Sequence, residues 1–330
     1  MQAVALQTIY DETGGNTTWI PNNWFQNGNR DDICNFDGIE CDINDGIIEN
    51  VTLSAFGMSG SIPDEIYLLQ PLWSRLDMSN NDLTGTVSSE ILSCCDEALI
   101  VSNNSLTGPV PNFEQDQLTV IKVDLSGNAF SGEIPIEFLR RELSDNNTAA
   151  TWSDYLQELL LNDNSLSGKI PTGLRYMKML KVLRLDSNDL VGSLPVELAQ
   201  LLSLLELNVS NNYLEGTLSS ELGQLQNLTN FDISSNFLDG TLPSEFGNLH
   251  SLQKLHIGDN KLNGSLPAEL SYLSALQVLN LGTNSFEGSI VDNMFDNMMN
   301  LTFFSLSSGD MTGSLPDGMS NLNSKLLHFI

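Results

Sequence analysis

Positive charge is scarce in this chain. Thirteen lysines and arginines stand against 42 aspartates and glutamates among 330 residues, a formal net charge of −29. Phosphate backbones are held by clustered Lys and Arg, so nucleic acid is excluded as a partner, and an anionic membrane surface is disfavoured for the same reason. The acidity reads as solubility of an extended surface, with a basic ligand or bound divalent cations as the more specific alternative. No apolar run approaches the roughly 18 residues needed to cross a bilayer, so membrane attachment would have to come from segments outside this sequence. Cysteine is also rare, at four, and no pair has metal-ligand spacing. Phosphate-binding loops, nucleophile elbows and zincin motifs are missing. No cofactor, no metal and no catalytic residue is expected, and the chain does not read as an enzyme.

What is present is leucine at fixed intervals. The stretch Leu180 to Pro195 has the form LxxLxLxxNxLxGxLP, and its asparagine recurs every 24 residues at Asn164, Asn188, Asn212, Asn236, Asn260 and Asn284. A fixed period of this size marks a solenoid, whose turns bury apolar faces against their neighbours instead of in one central core. Around Leu183 and Leu185 apolar and polar residues alternate, which predicts a short strand with one face buried. The asparagine then falls at a turn, where a buried amide can satisfy backbone groups that no ladder serves. Stacked copies make a structural ladder of Asn81, Asn104, Asn128, Asn164, Asn188, Asn212, Asn236, Asn260 and Asn284.

This pattern resembles the plant-type leucine-rich repeat, with LxGxIP after the asparagine, from Ile48 to Pro316. The resemblance implies an α/β solenoid: a right-handed leucine-rich-repeat superhelix of about eleven 24-residue repeats, with a concave parallel β-sheet and a second small sheet beside it. The expected organisation is an N-terminal cap over residues 1–47 and a solenoid over 48–330, with an incomplete last repeat. The segment Cys34-Asn-Phe-Asp-Gly-Ile-Glu-Cys41 resembles the family's cap motif, with Phe36 in place of its tryptophan, and a short helix is expected over Ala3–Tyr10. On that resemblance Cys34 and Cys41 pair; closing so short a loop contributes roughly 2 to 3 kcal/mol in the chain-entropy model and implies an oxidising compartment. No signal peptide leads the chain, and Leu326, Leu327, Phe329 and Ile330 end it without a closing cap, so a longer natural chain is expected at both ends.

Three features break the period. Phe56 stands where the first repeat should carry its asparagine, and Gly309 where the last should. Between Asn128 and Asn164 the spacing is 36, which places a twelve-residue insertion within 138–152; it reads as a surface loop. Cys94 falls at the register of Leu225, Leu249 and Leu273, a core position, which points its neighbour Cys95 outward. Sequons at Asn16, Asn50, Asn103, Asn146, Asn208, Asn227, Asn263 and Asn300 are glycosylation candidates and favour a secretory route.

Register also locates a candidate surface. Residues four before each asparagine share one strand face, and in the regular block they are Arg184, Asn208, Asp232, His256 and Asn280, flanked by Glu206, Asn230 and Lys254, with Leu160 and Val182 as an apolar neighbour at one end. Two before each asparagine the column is mainly serine, and both columns are expected to face the ligand side. His250 points outward, His256 sits on the strand face and His328 lies in the tail, so the three do not converge. Mixed charge beside aliphatic surface suits recognition of a peptide, protein or glycan, although the same row also reads as a solvated face whose charges pair across strands. The resemblance implies the extracellular domain of a receptor-like protein or receptor-like kinase acting with a co-receptor. A secreted inhibitor of a cell-wall-degrading hydrolase, like the polygalacturonase inhibitors, and an ice-binding or adhesive surface are the alternatives.

Overall fold

The structure is a computed structural model; it describes residues 2–15, 17–20, 24–25, 33–69, 74–112, 120–135, 155–307 and 310–322. The insertion within 138–152, His328, Gly309, and the sequons at Asn16 and Asn146 lie outside the described residues. The chain divides into two compact units, Met1–Leu166 and Ser167–Ile330.

In the first unit the helix Gln2–Glu12 opens the chain, two residues longer at its C-terminal end than the expected segment. Its buried face, Ala5, Leu6, Ile9 and Tyr10, covers the start of the solenoid, whose apolar end would otherwise meet water. Cys34 and Cys41 are joined by a disulfide. Around it gathers an aromatic cluster: Trp24 stacks on Phe36 at 5.2 Å, and Trp19 meets Tyr10 at 5.2 Å and Phe56 edge-on at 5.8 Å. Phe56 therefore replaces the first ladder asparagine for a reason: the turn before it is cap, which supplies rings to pack against. The strand Ile39–Cys41 runs antiparallel to Ile48–Thr52, and from there Arg75–Asp77, Ala98–Ile100, Lys122–Asp124 and Glu158–Leu160 follow in parallel.

The second unit repeats the arrangement with greater regularity. Val182–Arg184, Glu206–Asn208, Asn230–Asp232, Lys254–His256, Val278–Asn280 and Phe303–Ser305 form a parallel main sheet in which each residue pairs with its equivalent in the next repeat. The middle residue of every strand, from Leu183 through Leu207, Phe231, Leu255 and Leu279 to Phe304, is at most 1% exposed. Each such side chain contributes about 1.5 to 3 kcal/mol by burial, and this column holds the turns together. A second sheet, Asp189–Gly192, Tyr213–Thr217 and Phe237–Asp239, lies just after the asparagines and is joined at its start by Ser167–Lys169 pairing with Asp189–Val191. The outer connections are single 3₁₀ turns such as Val196–Gln200 and Ser244–Asn248, each started by a proline or serine.

The asparagines tie successive turns. The Asn236 Nδ2 donates to the carbonyls of Val209, Ile233 and Ser234 at 3.0 to 3.2 Å, while its Oδ1 accepts the Leu214 amide at 3.0 Å; Asn212 and Asn260 repeat the geometry one turn away. The preceding residue adopts the left-handed conformation, with φ between 53° and 59° at Ala55, Asn80, Asn103, Asp163, Ser187, Asn211, Ser235, Asp259 and Thr283.

Two expectations are corrected. Cys95, expected to point outward, is 1% exposed and closes the 3₁₀ turn Ser89–Cys94 as Leu225 and Leu249 close theirs. Leu225 lies 13 residues after Asn212, and counting the same distance on from Asn81 reaches Cys94, but the 3₁₀ turn here is one residue longer than Ser220–Gln224, so its closing position falls on Cys95. The side chain of Cys94 lies outside the described residues. The serine-rich column is also less open than expected, because Ser79, Ser102, Asn162 and Asp186 are buried.

Candidate functional site

The main sheet of the second unit brings the candidate row together. Pairing aligns Arg184 with Asn208, Asn208 with Asp232, Asp232 with His256, and His256 with Asn280. Strands spaced at about 4.8 Å make the full six-strand row roughly 24 Å long, the reach of some seven residues of extended peptide. A parallel row two residues earlier carries Val182, Glu206, Asn230, Lys254, Val278 and Phe303. Leu160 belongs to the first unit, on Glu158–Leu160. Val278 and Phe303, not among the residues expected from sequence, give the second row an apolar end, and their register with Val182 is the signal that marks them.

These side chains are anchored from below. Arg184 makes a two-point contact with the buried carboxylate of Asp186, through Nε at 3.1 Å and Nη2 at 3.0 Å, and its Nε lies 3.9 Å from Glu206. Two-point guanidinium–carboxylate geometry fixes the direction of the fork, so Asp186 acts as the positioning residue for Arg184. The Oδ1 of Asn208 accepts from the amide and hydroxyl of Ser210 at 3.0 and 2.8 Å, and that of Asp232 from the amide and hydroxyl of Ser234 at 3.0 and 2.6 Å. One oxygen of each is thereby held against the sheet, which leaves the remaining polar atom directed at solvent in a fixed orientation. The serine column, half-buried at Ser210 and Ser234, is therefore a support for the row above it. A ligand meeting such a row loses little entropy to side-chain ordering.

The first unit builds the same device at Asp77 and at Asp124, whose Oδ1 accepts from the amide and hydroxyl of Ser126 at 3.2 and 2.6 Å. Burial pushes the Asp77 carboxyl up, and hydrogen bonds from Arg75 and from the hydroxyl and amide of Ser79 outweigh it, so the group is held below the ordinary carboxylate range. Beside it, however, Ile100 breaks the polar row. His250 is exposed on the outer side and His256 half-buried on the main sheet. Among the described residues, no group of three or more His, Cys, Asp or Glu side chains has metal-holding geometry, and no helix is long and apolar enough to cross a membrane.

The class that this fold and ladder define is the leucine-rich repeat solenoid. Leucine-rich repeat family models match residues 226–286, and residues 155–177 with 203–225. The chain carries leucine-rich repeats over those residues. It is 32% identical over 106 residues to Receptor protein-tyrosine kinase CEPR1 of Arabidopsis thaliana, covering 31% of this chain and 11% of that protein. Over 92 residues it is 32% identical to Receptor like protein 22 of the same plant, covering 27% and 11%. The chain thus spans only a small part of these curated relatives. Among solved structures it is similar to a TDR receptor (29% identity, 82% of this chain and 45% of that one, TM-score 0.73). It is also similar to the Arabidopsis receptor kinase HAESA in complex with the peptide hormone IDA and the co-receptor SERK1 (25%, 94% and 53%, 0.67) and to a plant ice-binding protein (26%, 96% of both chains, 0.71).

Proposed function

We propose that the chain is a non-enzymatic ligand-recognition module, the extracellular domain of a receptor-like protein, and that the second unit's main sheet binds an extended peptide along the row from Arg184 to Asn280. The observation that carries this reading is the pre-set row itself: cationic Arg184, neutral Asn208 and anionic Asp232, each fixed by a partner beneath it, with Val278 and Phe303 supplying apolar area at one end. Polar groups of fixed direction set register and apolar surface supplies affinity. The peptide complex of the similar receptor HAESA supports the ligand class, and its SERK1 component supports a co-receptor. The Cys34–Cys41 disulfide supports an oxidising, extracellular setting. The test is selection from a random-peptide display library on the purified chain. Enriched peptides are expected to bind at least tenfold more weakly to Arg184→Glu or Asp232→Lys, with the thermal midpoint unchanged. Equal binding to wild type and both reversals overturns the assignment.

A second reading rests on the plant ice-binding protein, which this chain matches along nearly the whole length of both. In the first unit, the second sheet sets exposed Ser61 beside Thr84 and Thr84 beside Ser105, small hydroxyls at regular spacing. Thermal hysteresis of the purified protein, abolished by Thr84→Lys, is the result that would select this reading over peptide recognition.

A further inference from the structure

The second sheet of the second unit carries a feature that neither the ladder nor the main-sheet row uses. The position directly after each ladder asparagine holds a small or acidic residue in most repeats, among them Ser105, Ser165, Asp189 and Ser285. In two consecutive repeats it holds Tyr213 and Phe237, which are 52% and 44% exposed. Their rings lie nearly parallel, 21° apart, with centroids at 6.1 Å. Val191, exposed and paired with Tyr213, extends them into an apolar strip across three strands. Rings left this open add little to folding, so the fold does not account for them.

A shallow groove of about 710 Å³ borders the strip, within the range of small-ligand pockets. Its walls are Lys169, Ser193, Glu215, Phe237, Asp239 and Lys261, and its floor includes Gly192 and Gly216. The Lys261 Nζ stands 4.8 Å from the centroid of the Phe237 ring. Among the described residues neither lysine lies within ion-pair distance of a carboxylate. Two lysines against two carboxylates make the groove formally neutral, in a chain whose net charge is −29.

We propose that this groove binds a neutral oligosaccharide. The occupant has to offer an apolar face to the Val191–Tyr213–Phe237 strip and a rim of groups that both donate and accept. Lysine ammoniums donate only and carboxylates accept only, and here the two alternate around one aromatic wall. A pyranose ring has this shape, with C–H bonds on its faces and hydroxyls on its edge that serve either kind of partner. Local neutrality matches an uncharged polyol. A polyanion would meet Glu215 and Asp239, and a polycation Lys169 and Lys261, each leaving like charges opposed. The strip and groove continue across four repeats, so a chain of several sugar units fits better than a single one.

Affinity electrophoresis tests this with laminarin, hydroxyethyl cellulose, xylan and galactomannan as neutral probes and polygalacturonate as the acidic one. At least one neutral polysaccharide is expected to retard the chain. Phe237→Ala and Tyr213→Ser should weaken that retardation at least tenfold, the second because serine is the residue that Ser285 already places at this position. Arg184→Glu, on the main sheet, should leave it unchanged, which separates this site from the peptide row. Circular dichroism establishes that the variants fold. The proposal is overturned if no neutral probe retards the wild type, if polygalacturonate alone does, or if retardation survives both aromatic substitutions.

Discussion

Replacing Asn236 tests the physical basis of the solenoid at one atom pair. The wild-type amide makes four hydrogen bonds: three from Nδ2 to the carbonyls of Val209, Ile233 and Ser234, and one from the Leu214 amide to Oδ1. Asn236→Ala removes all four in a buried turn. A buried donor or acceptor left without a partner costs about 1 to 3 kcal/mol, and the Leu214 amide is a strict loss because it has a single hydrogen to give. The carbonyls have second lone pairs, so their share is smaller, and the total should come to about 2 to 4 kcal/mol. Asn236→Asp is the sharper variant. It keeps an acceptor for Leu214 but turns the other end of the side chain into an oxygen facing three carbonyl oxygens. Ionisation there is disfavoured, so the folded pKa of the introduced carboxyl is raised above the unfolded value near 3.9. When protonated it can donate, so the damage should be mild at low pH and should grow as pH rises above the unfolded value. Urea melts followed across pH 3 to 7 read the trend, and hydrogen exchange at the Leu214 amide reads the local effect. Repeat arrays can unfold in parts, so the exchange measurement is the decisive one. A neutral alanine variant with Leu214 still protected would refute the reasoning.

Three further outcomes follow from geometry. Asp77 has a depressed carboxyl pKa, so its contribution to stability is fully present above the unfolded value near 3.9 and is lost as pH falls through the folded one; Asp77→Asn should flatten the melting profile in that acid window, and an unchanged profile would count against it. Thr283 is a β-branched residue at φ 54°, where asparagine sits in three other repeats, so Thr283→Asn should raise stability by about 0.5 to 1 kcal/mol in urea melts. A Cβ on Gly247 would lie 2.4 Å from the carbonyl oxygen of Glu269, a backbone atom, so Gly247→Ala should cost about 1 to 3 kcal/mol; the equivalent Ala199 and Ser271 show that other turns are set wider, and a neutral result would mean this one can follow them.

Much of this molecule is legible in the chain because one physical requirement recurs. Leucine at fixed spacing gives the buried column, and asparagine at fixed spacing gives the turn that no ladder satisfies. Their interval sets the register that puts Arg184 beside Asn208 and Asp232 beside His256. What stayed hidden depends on conformation rather than composition. The left-handed residue before each asparagine is filled by Asn, Asp, Gly, Ser or Thr, so no single letter marks it. The buried role of Asp186 appears only when the guanidinium of Arg184 folds back onto it. The burial of Cys95 was hidden because its turn has one residue more before it and two fewer after it than the regular repeats, and a count cannot say where such changes fall. The aromatic groove did have a signal, two rings in a column of small residues.

The alignment of three-residue strands in the main sheet has a consequence for how such a surface can change. Every strand contributes a triplet whose middle letter belongs to the interior and whose outer letters lie on the opposite face. The interior letter is almost synonymous from turn to turn, leucine or phenylalanine, and the outer letters are free. The face is therefore written in a reading frame of 24 residues with two symbols per line. Excising one whole line, such as residues 213–236, preserves the frame: the asparagine that follows meets the same neighbours, and the text beyond it moves up by one strand. Losing a single residue between two asparagines does not have that freedom, as the displaced cysteine shows. Such a surface can be edited by duplication, deletion and exchange of whole lines, with the interior indifferent to the message.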